Sequence, residues 1–183
     1  MTITTLTVGP IATNCYLFSN KNKDCFIVDP GDEAEKIIEK IEQLKLKPNT
    51  ILATHGHFDH VLAVQKLQKK YSIPFYLHKD DLSILKVDKK LKDKDVLKLG
   101  EVELKVISTP GHTPGGVVFY CQKEKLAFTG DTVFANGYYG RTDLEGGDAR
   151  ILRQSIKKIF ELAKETVLYP GHGASTILKD ELK

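Results

Sequence analysis

Short apolar runs and alternating apolar and polar positions predict nine β-strands in this chain. Residues 101–107 alternate most plainly, with Val102, Leu104 and Val106 set against charged neighbours, as in a strand that is buried on one face. The other runs are short, apolar and bounded by turn residues. The predicted strands are residues 2–8, 14–19, 24–28, 50–53, 73–78, 101–107, 117–120, 126–129 and 166–169.

Apolar residues at helical spacing predict three longer helices. From Glu33 to about Leu46 the apolar positions recur every three or four residues, which is the period of one helix face. A second helix is expected directly after residue 60, and a third after Asp148, whose side chain suits an N-cap. We also expect short helices near residues 80–85 and within residues 175–183.

The order of these elements predicts an α/β (α+β) architecture. Strands come first, strands mixed with helices follow, and a helix and a strand come last. Two facing sheets with helices on the outside accommodate that order. Because the 183 residues contain neither a repeat nor a linker, we expect residues 1–183 to form a single domain.

Composition and charge argue against several classes of partner. The net charge is only +3, and the lysines of residues 86–95 are interspersed with acids, which is typical of a solvated surface rather than a nucleic-acid site. No apolar run reaches the roughly 20 residues that cross a bilayer, and the N-terminus lacks a secretion signal. We expect a cytoplasmic protein in which Cys15, Cys25 and Cys121 are buried, reduced thiols, with a Cys15–Cys25 bridge as the alternative.

Three of the six histidines fall within residues 55–60, where an aspartate lies between the last two. Histidine is a poor core residue and a poor helix former, so packing does not explain this density. Similar loops of small residues, each with one polar side chain, follow the strands before His112, Asp131 and His172. Because imidazole and carboxylate groups are the common ligands of Zn²⁺, these loops together predict a metal site.

The number of candidate ligands indicates two ions. A catalytic Zn²⁺ takes about four ligands, one of them water, and two ions about 3.5–4 Å apart can share one hydroxide. His55 and His57 point the same way in extended backbone. The sixth histidine, His78, stands alone at a strand end and is expected to be on the surface or locally bonded. The seven candidates are His55, His57, Asp59, His60, His112, Asp131 and His172.

In order and local context, these residues resemble the HxHxDH…H…D…H pattern of the metallo-β-lactamase superfamily. The resemblance covers nearly the whole chain and implies a four-layer αββα sandwich. The ligand sets that it implies are His55, His57 and His112 for a first ion, Asp59, His60 and His172 for a second, and Asp131 bridging the two. Asp59 and His60 are then also the residues expected to orient a hydroxide nucleophile.

Within that superfamily the chain looks most like the glyoxalase II group, the hydroxyacylglutathione hydrolases. Members of that group carry a C-terminal helical domain that contacts glutathione, and a His-Glu-Tyr motif where this chain has His172-Gly173-Ala174. The chain is therefore similar to short, single-domain members that lack the glutathione-binding domain. The matching pieces are Thr13-Asn14-Cys15-Tyr16, Val28-Asp29-Pro30-Gly31, residues 109–115, residues 130–134 and Gly140-Arg141-Thr142-Asp143.

The resemblance implies thioester hydrolysis, in which a metal-bound hydroxide attacks the carbonyl and a thiolate leaves without a strong general acid. The expected partner is a small thioester, and the expected cofactors are two divalent ions, Zn²⁺ or alternatively Fe²⁺ or Mn²⁺. Three other hypotheses stay open. They are a persulfide dioxygenase with one iron on His55, His112 and Asp131, another hydrolase of the same fold, and a non-catalytic metal-binding module. We expect a monomer or a homodimer.

Substrate contacts are predicted in the Gly-rich loop after the bridging aspartate. Arg141 lies near the place where the family has a cationic contact to glutathione. The alternative for Arg141 is a salt bridge to Asp143 or Asp148 that holds the loop. Tyr138 and Tyr139 are candidates to line the pocket, and packing beneath the loop is the preferred alternative.

Overall fold

The computed structural model describes residues 1–81 and 85–182, and these residues form two six-stranded mixed sheets. The first sheet has the order β1-β2-β3-β4-β5-β6, from Thr2–Val8 (β1), Thr13–Ser19 (β2), Asp24–Val28 (β3), Lys47–Leu52 (β4), Phe75–His78 (β5) and Lys89–Leu91 (β6). The second has the order β12-β11-β10-β9-β8-β7, from Val96–Leu99 (β7), Val102–Ser108 (β8), Val117–Cys121 (β9), Leu126–Gly130 (β10), Val167–Pro170 (β11) and Thr176–Ile177 (β12).

Both sheets mix parallel and antiparallel pairs. In the first, β1 to β3 pair antiparallel and β3 to β6 pair parallel. In the second, only β10 and β11 are parallel. Parallel neighbours need a crossover between them, and the helices supply most of these. The helices are Ala34–Leu44 (α1), Phe58–Val61 (α2), Val64–Tyr71 (α3), Ala149–Phe160 (α4) and Leu178–Glu181 (α5), with a 3₁₀ turn at Ala135–Gly137.

Three hydrophobic clusters separate four layers and confirm the predicted sandwich. One lies between the first sheet and helices α1 and α3, where Ile37 and Leu67 are fully buried. The second lies between the two sheets and is rich in aromatic residues such as Phe18 and Phe128. The third lies between the second sheet and α4, where Ile159 packs. The side chain of Asp148 caps α4 as predicted, because it accepts hydrogen bonds from the next helical N–H groups.

The sequence pattern missed three strands. Strand β6 lies inside the lysine-rich stretch that we read only as a solvated surface, and Leu91 is its one buried residue. Strand β7 alternates buried and exposed positions, but it follows this charged stretch without a break. Strand β12 has only two residues. The short helix predicted near residues 80–85 lies partly outside the described residues, and the one predicted after residue 60 is divided into α2 and α3.

The cysteines have the state that the sequence predicts. All three cysteines are free and buried, so there is no bridge between Cys15 and Cys25. Among the described residues, no helix is both long and apolar enough to cross a membrane.

The loops that carry the candidate ligands meet at one edge of the sandwich. Strand β4 ends three residues before His55, β10 ends directly before Asp131, and β11 ends two residues before His172. Backbone hydrogen bonds join these loops: the N–H of Val117 donates to the carbonyl of Thr54 at 2.8 Å. The rigid sheets therefore hold the ligand loops in place.

Candidate metal centre

His55, His57 and His112 form a first group of facing imidazoles. Nδ1 of His57 lies 3.1 Å from Nε2 of His55 and 3.0 Å from Nε2 of His112. A tetrahedral Zn²⁺ with bonds of about 2.0–2.1 Å needs its nitrogen ligands about 3.3 Å apart. The three nitrogens are thus spaced closely enough to share one ion.

Asp59, His60 and His172 form a second group beside the first. The ligand atoms of this group lie within 4.8 Å of one another. Oδ2 of Asp59 is 3.4 Å from Nε2 of both His60 and His172. Burial opposes ionisation of Asp59, but hydrogen bonding from His172 and the charge of His60 outweigh it and lower its pKa to about 2. Asp59 therefore offers an ionised carboxylate.

Asp131 lies between the two groups and turns one oxygen toward each. Its Oδ2 is 3.5 Å from Nε2 of His112 in the first group, and its Oδ1 is 3.6 Å from Nε2 of His60 in the second. Its Oδ2 is also 3.7 Å from Nε2 of His172. This is the arrangement expected of a carboxylate that bridges two ions.

The outer hydrogen bonds of three histidines fix their tautomers. Nδ1 of His112 lies 2.7 Å from the carbonyl of Arg141, and Nδ1 of His172 lies 3.1 Å from the carbonyl of Ile11. A carbonyl only accepts, so both Nδ1 atoms carry the proton. The hydroxyl of Thr54 is the partner of His55 Nδ1 at 3.1 Å. Each ring is thereby oriented with Nε2 toward the centre, as a metal-ligating imidazole requires.

Asp29 supports one histidine in each group. Its carboxylate accepts hydrogen bonds from the N–H and the hydroxyl of Thr54, at 2.6 and 2.7 Å. Because the Thr54 hydroxyl donates its proton to Asp29, the hydroxyl oxygen can accept a hydrogen bond from the Nδ1–H of His55. Oδ2 of Asp29 also lies 3.1 Å from Nδ1 of His60, an ionic contact rather than an aligned hydrogen bond.

His55 and His60, the two buried histidines that Asp29 supports, differ in protonation. Burial lowers the pKa of His55, and the neighbouring His60 and His112 lower it further, so His55 stays neutral. Burial would also lower the pKa of His60, but Asp29 and Asp131 outweigh it and raise that pKa to about 9. A divalent ion that binds His60 therefore displaces a proton.

Buried atoms without partners show that the centre fits a metal. Nε2 of His60 and Oδ1 of Asp131 are buried and have no hydrogen-bond partner. Buried polar atoms are nearly always paired in native proteins. An ion that binds both atoms removes this deficit, and the imidazole and carboxylate set suits Zn²⁺, Fe²⁺ or Mn²⁺.

Two glycines allow the backbone to approach the centre. A Cβ at Gly171 would overlap Oδ1 of Asp131 and Cε1 of His60. A Cβ at Gly140 would overlap the carbonyl oxygen of Asp131. Any side chain at either position would displace Asp131, so glycine is required at both.

Side chains at the start of strand β2 contact two of the ligand loops. The side-chain amide of Asn14 donates to the carbonyls of Pro170 and Gly173, at 3.1 and 2.8 Å. The hydroxyl of Tyr16 donates to Pro170 at 2.5 Å, and that of Thr13 donates to Oδ2 of Asp59 at 2.9 Å. The Thr13–Tyr16 motif is visible in the sequence, but its contacts connect residues 46 to 159 positions apart and are not predictable from it.

The loop with the predicted substrate residues forms one rim of the centre. The guanidinium of Arg141 makes a bidentate pair with Asp143, at 2.7 and 2.6 Å, and both side chains are exposed. The salt bridge offered as an alternative for Arg141 is therefore present. Tyr138 and Tyr139 are 70% and 42% exposed, so both residues are open to solvent on this loop.

An apolar groove, which the sequence did not indicate, adjoins the centre beside Asp59. Ile11, Phe58 and Leu62 line it and are 50%, 64% and 55% exposed. The same groove is lined by Thr13 and the ligand Asp59. Exposed apolar groups beside polar, chemically active ones are typical of ligand sites.

His78 lies outside the metal groups, as predicted. It is buried rather than on the surface, with Nε2 3.1 Å from the hydroxyl of Ser108. The N–H of Asp80 donates to its Nδ1 at 3.3 Å. His78 therefore has a local hydrogen-bonding role between the two sheets.

The sequence matches a family model described as the metallo-beta-lactamase superfamily, over residues 8–172. The chain belongs to this superfamily. The Bacillus subtilis protein named probable metallo-hydrolase YqgX is 36% identical over 92% of this chain and 89% of its own length. The Haemophilus influenzae hydroxyacylglutathione hydrolase GloC is 33% identical over 99% of this chain and 95% of its own length.

Solved structures of this superfamily share the fold closely. BLEG-1, described as a B3 metallo-beta-lactamase, matches with a TM-score of 0.93 and 36% identity, over 99% of this chain and 96% of its own. TTHA1623 in a di-iron-bound form matches with a TM-score of 0.90 and 35% identity, over 98% and 97%. ETHE1 from Myxococcus xanthus matches with a TM-score of 0.89 and 26% identity, over 99% and 81%.

Membership of the metallo-β-lactamase superfamily makes this chain a metallo-hydrolase, and its histidine and aspartate cluster fits the dinuclear centre of that fold. The relatives carry different activities in their names, so the family alone leaves the substrate open.

Proposed function

We propose that this metallo-hydrolase cleaves thioesters of the glyoxalase II type, converting an S-2-hydroxyacylglutathione or a related thioester and water into a carboxylic acid and a thiol. The observation that carries the proposal is the pair of complete ligand groups on either side of Asp131. The full-length similarity to GloC supports the choice of thioesters.

Each ligand group would hold one divalent ion. When bound, two such ions lower the pKa of water and polarise a carbonyl oxygen. Asp59 and His60 would orient the attacking water, because both face the space beside Asp131. We propose Zn²⁺ for both positions, with Fe²⁺ or Mn²⁺ as alternatives, and the di-iron form of TTHA1623 supports the iron alternative.

The chain offers no further imidazole to protonate a leaving group at the centre, among the residues that the structure describes. All six histidines lie among the described residues. Five of them are in the ligand groups, and His78 is hydrogen-bonded to Ser108. A thiol has a pKa of about 8.5 and leaves readily as a thiolate. Cleavage of the C–S bond therefore suits this centre better than cleavage of a bond to a poor leaving group.

The rim loop and the apolar groove would contact different parts of the substrate. On one rim, Arg141 would leave its salt bridge to Asp143 and bind an anionic group of the substrate. Tyr138 and Tyr139 would cover the substrate there. The groove of Ile11, Phe58 and Leu62 would receive an apolar part. The proposed partner is thus a small thioester and not a nucleic acid. The buried free thiols suit the cytoplasm that we propose as its location.

Hydrolysis of S-D-lactoylglutathione by zinc-loaded protein tests the proposal, beside acetyl and hexanoyl thioesters and a chromogenic β-lactam. We expect turnover of at least one thioester, and its loss in His57→Ala and His172→Ala. The β-lactam is included because BLEG-1 is described as a metallo-beta-lactamase. Turnover of the β-lactam with no turnover of any thioester would overturn the proposal.

An iron-dependent persulfide dioxygenase is a second candidate. The predicted iron set is His55, His112 and Asp131. With His60 in place of His112, the ligand atoms of His55, His60 and Asp131 lie within 4.8 Å of one another and offer two imidazoles and one carboxylate, the set used by non-haem iron oxygenases. The Gly140-Arg141-Thr142-Asp143 loop also resembles that of this class. One iron per chain and persulfide-dependent oxygen uptake, without thioester turnover, would favour this candidate.

A further inference from the structure

Asp81 joins the two loops that carry the three histidines of the first group. Its Oδ2 accepts a hydrogen bond from the N–H of Gly56 at 2.7 Å and another from the hydroxyl of Thr113 at 3.1 Å. Gly56 stands between His55 and His57, and Thr113 directly follows His112. One carboxylate therefore connects both sides of this ligand group.

The contact between Asp81 and the His112 loop is also tight. The N–H of Gly115 donates to the same carboxylate. A Cβ at Gly115 would overlap the backbone N and Cα of Asp81. The loop therefore cannot move toward Asp81 without a clash, nor away from it without losing hydrogen bonds.

Three donors on one side chain explain why a carboxylate is needed at this position. An ionised carboxylate has only acceptors, so it can bind the N–H groups of Gly56 and Gly115 and the Thr113 hydroxyl together. An asparagine would turn an N–H₂ group toward at least one of these donors. Asp81 is half-buried, so water replaces a lost partner only in part.

We propose that Asp81 is a positioning residue for the first ligand group. It sets the separation of the His55–His57 loop from His112, and through it the affinity and coordination geometry of the ion held there. Asp81 itself lies in none of the groups of candidate ligands. The proposal rests on the metal centre alone, so it holds whether or not the substrate is a thioester.

Titration of the metal-free protein with Co²⁺, followed by visible absorption, tests this role without any substrate. His57→Ala and His172→Ala, which each remove one ligand, assign the two binding events to the two groups. Because partners of metal ligands typically contribute 10–100-fold in affinity, we expect Asp81→Asn to weaken the first-group event by about that factor and to alter its absorption spectrum. The second-group event should keep its affinity.

The neighbouring Asp80→Asn is the matched control, because Asp80 is exposed and paired with Lys79. It should bind both ions like the wild type. If Asp81→Asn does not fold, Thr113→Val removes one donor and should weaken the same event less. Wild-type binding of both ions by a folded Asp81→Asn or Thr113→Val would overturn the proposal. Equal weakening of both events together with a lower melting temperature would also overturn it, since that is a general structural role.

Discussion

Nε2 of His60 and Oδ1 of Asp131 face each other at 3.6 Å, and both are buried without a hydrogen-bond partner. The distance is too long for a hydrogen bond. A protein that buries two such atoms needs something between them, because each unpaired atom costs about 1–3 kcal/mol. A bound ion supplies the missing contacts, so the stability of this fold should depend on its metal.

Metal removal should destabilise the protein. At a free ion concentration of 100 times Kd, binding contributes about 2.7 kcal/mol. For a chain of this size, each kcal/mol shifts Tm by about 2–4 °C. A chelator should therefore lower Tm by several degrees, and added Zn²⁺ should restore it. The variant Asp131→Ala serves as the control, because its Tm should respond less to chelator. An unchanged wild-type Tm would contradict the dependence.

Thr13→Val should weaken the second ion site. The Thr13 hydroxyl holds Oδ2 of Asp59 at 2.9 Å, and loss of such a partner typically costs about 10–100-fold in metal affinity. Competition with a chromophoric chelator measures the loss. Thr7→Val is the matched control, because the Thr7 hydroxyl makes only a 3.4 Å contact to Asn14. Equal affinities of the two variants for the second ion would show that the hydroxyl of Thr13 does not contribute to metal binding.

Arg141→Met and Asp143→Asn should have different effects if Arg141 contacts the substrate. Arg141→Met removes the cation, and a hydrogen bond to a charged group is worth about 1.5–3 kcal/mol, so KM should rise by about tenfold or more at constant kcat. Asp143→Asn releases the guanidinium from its bidentate pair, so KM should stay the same or fall. The KM and kcat of both variants, measured by steady-state kinetics with an anionic thioester, distinguish substrate binding from a structural role. Similar increases in KM for both variants would mean that the pair only holds the loop.

Phe58→Ser should reduce the preference for apolar acyl groups. Phe58 is exposed in the groove beside Asp59, and each methylene removed from water contributes about 0.8 kcal/mol. We expect kcat/KM to fall by about tenfold for a hexanoyl thioester and to stay near wild type for an acetyl thioester. Ile151→Ser replaces an exposed apolar residue on α4 and is the control. Parallel losses for both substrates would exclude an acyl site in the groove.

The three thiols should resist thiol-specific reagents while the fold is intact. Burial raises the pKa of Cys25 to about 12, and burial also raises the pKa of Cys15 and of Cys121. Because the thiolate is the reactive form, a raised pKa lowers the reactive fraction at pH 8. A coloured disulfide reagent should label no thiol rapidly in native protein and all three in guanidinium. Rapid native labelling of one thiol would contradict the burial.

The ligands of the candidate centre could be predicted because each one is marked locally. A histidine or aspartate follows an apolar strand and five of the seven ligands stand beside glycine, while the other two lie in the histidine-rich stretch of residues 55–60. Strand ends gather at one edge of a sandwich. The contacts that orient these ligands carry no such mark. Asp29 reaches Thr54 across 25 positions, and the backbone carbonyl of Arg141 reaches His112 across 29. Any residue could supply that carbonyl, so sequence reasoning considered only the side chain of Arg141.

Two features escaped prediction for a different physical reason. Asp81 lies in a charged stretch where acids and lysines alternate without a period, so nothing distinguishes it from the exposed Asp80. Strand β6 has two lysines and one apolar residue, and only its parallel pairing with β5 makes it a strand. In both cases tertiary contacts decide the structure, and the local pattern does not.

The hydrogen bonds from Asn14 and Tyr16 to the loop of His172 have a consequence for the growing chain. Asn14 and its acceptor at Pro170 are 156 residues apart, which corresponds to roughly 8–30 s of synthesis at about 5–20 residues per second. The first ligand group is complete in the nascent chain once His112 has emerged, whereas the second must wait for His172. The ribosome therefore releases all the ligands of the first group before it releases the last ligand of the second.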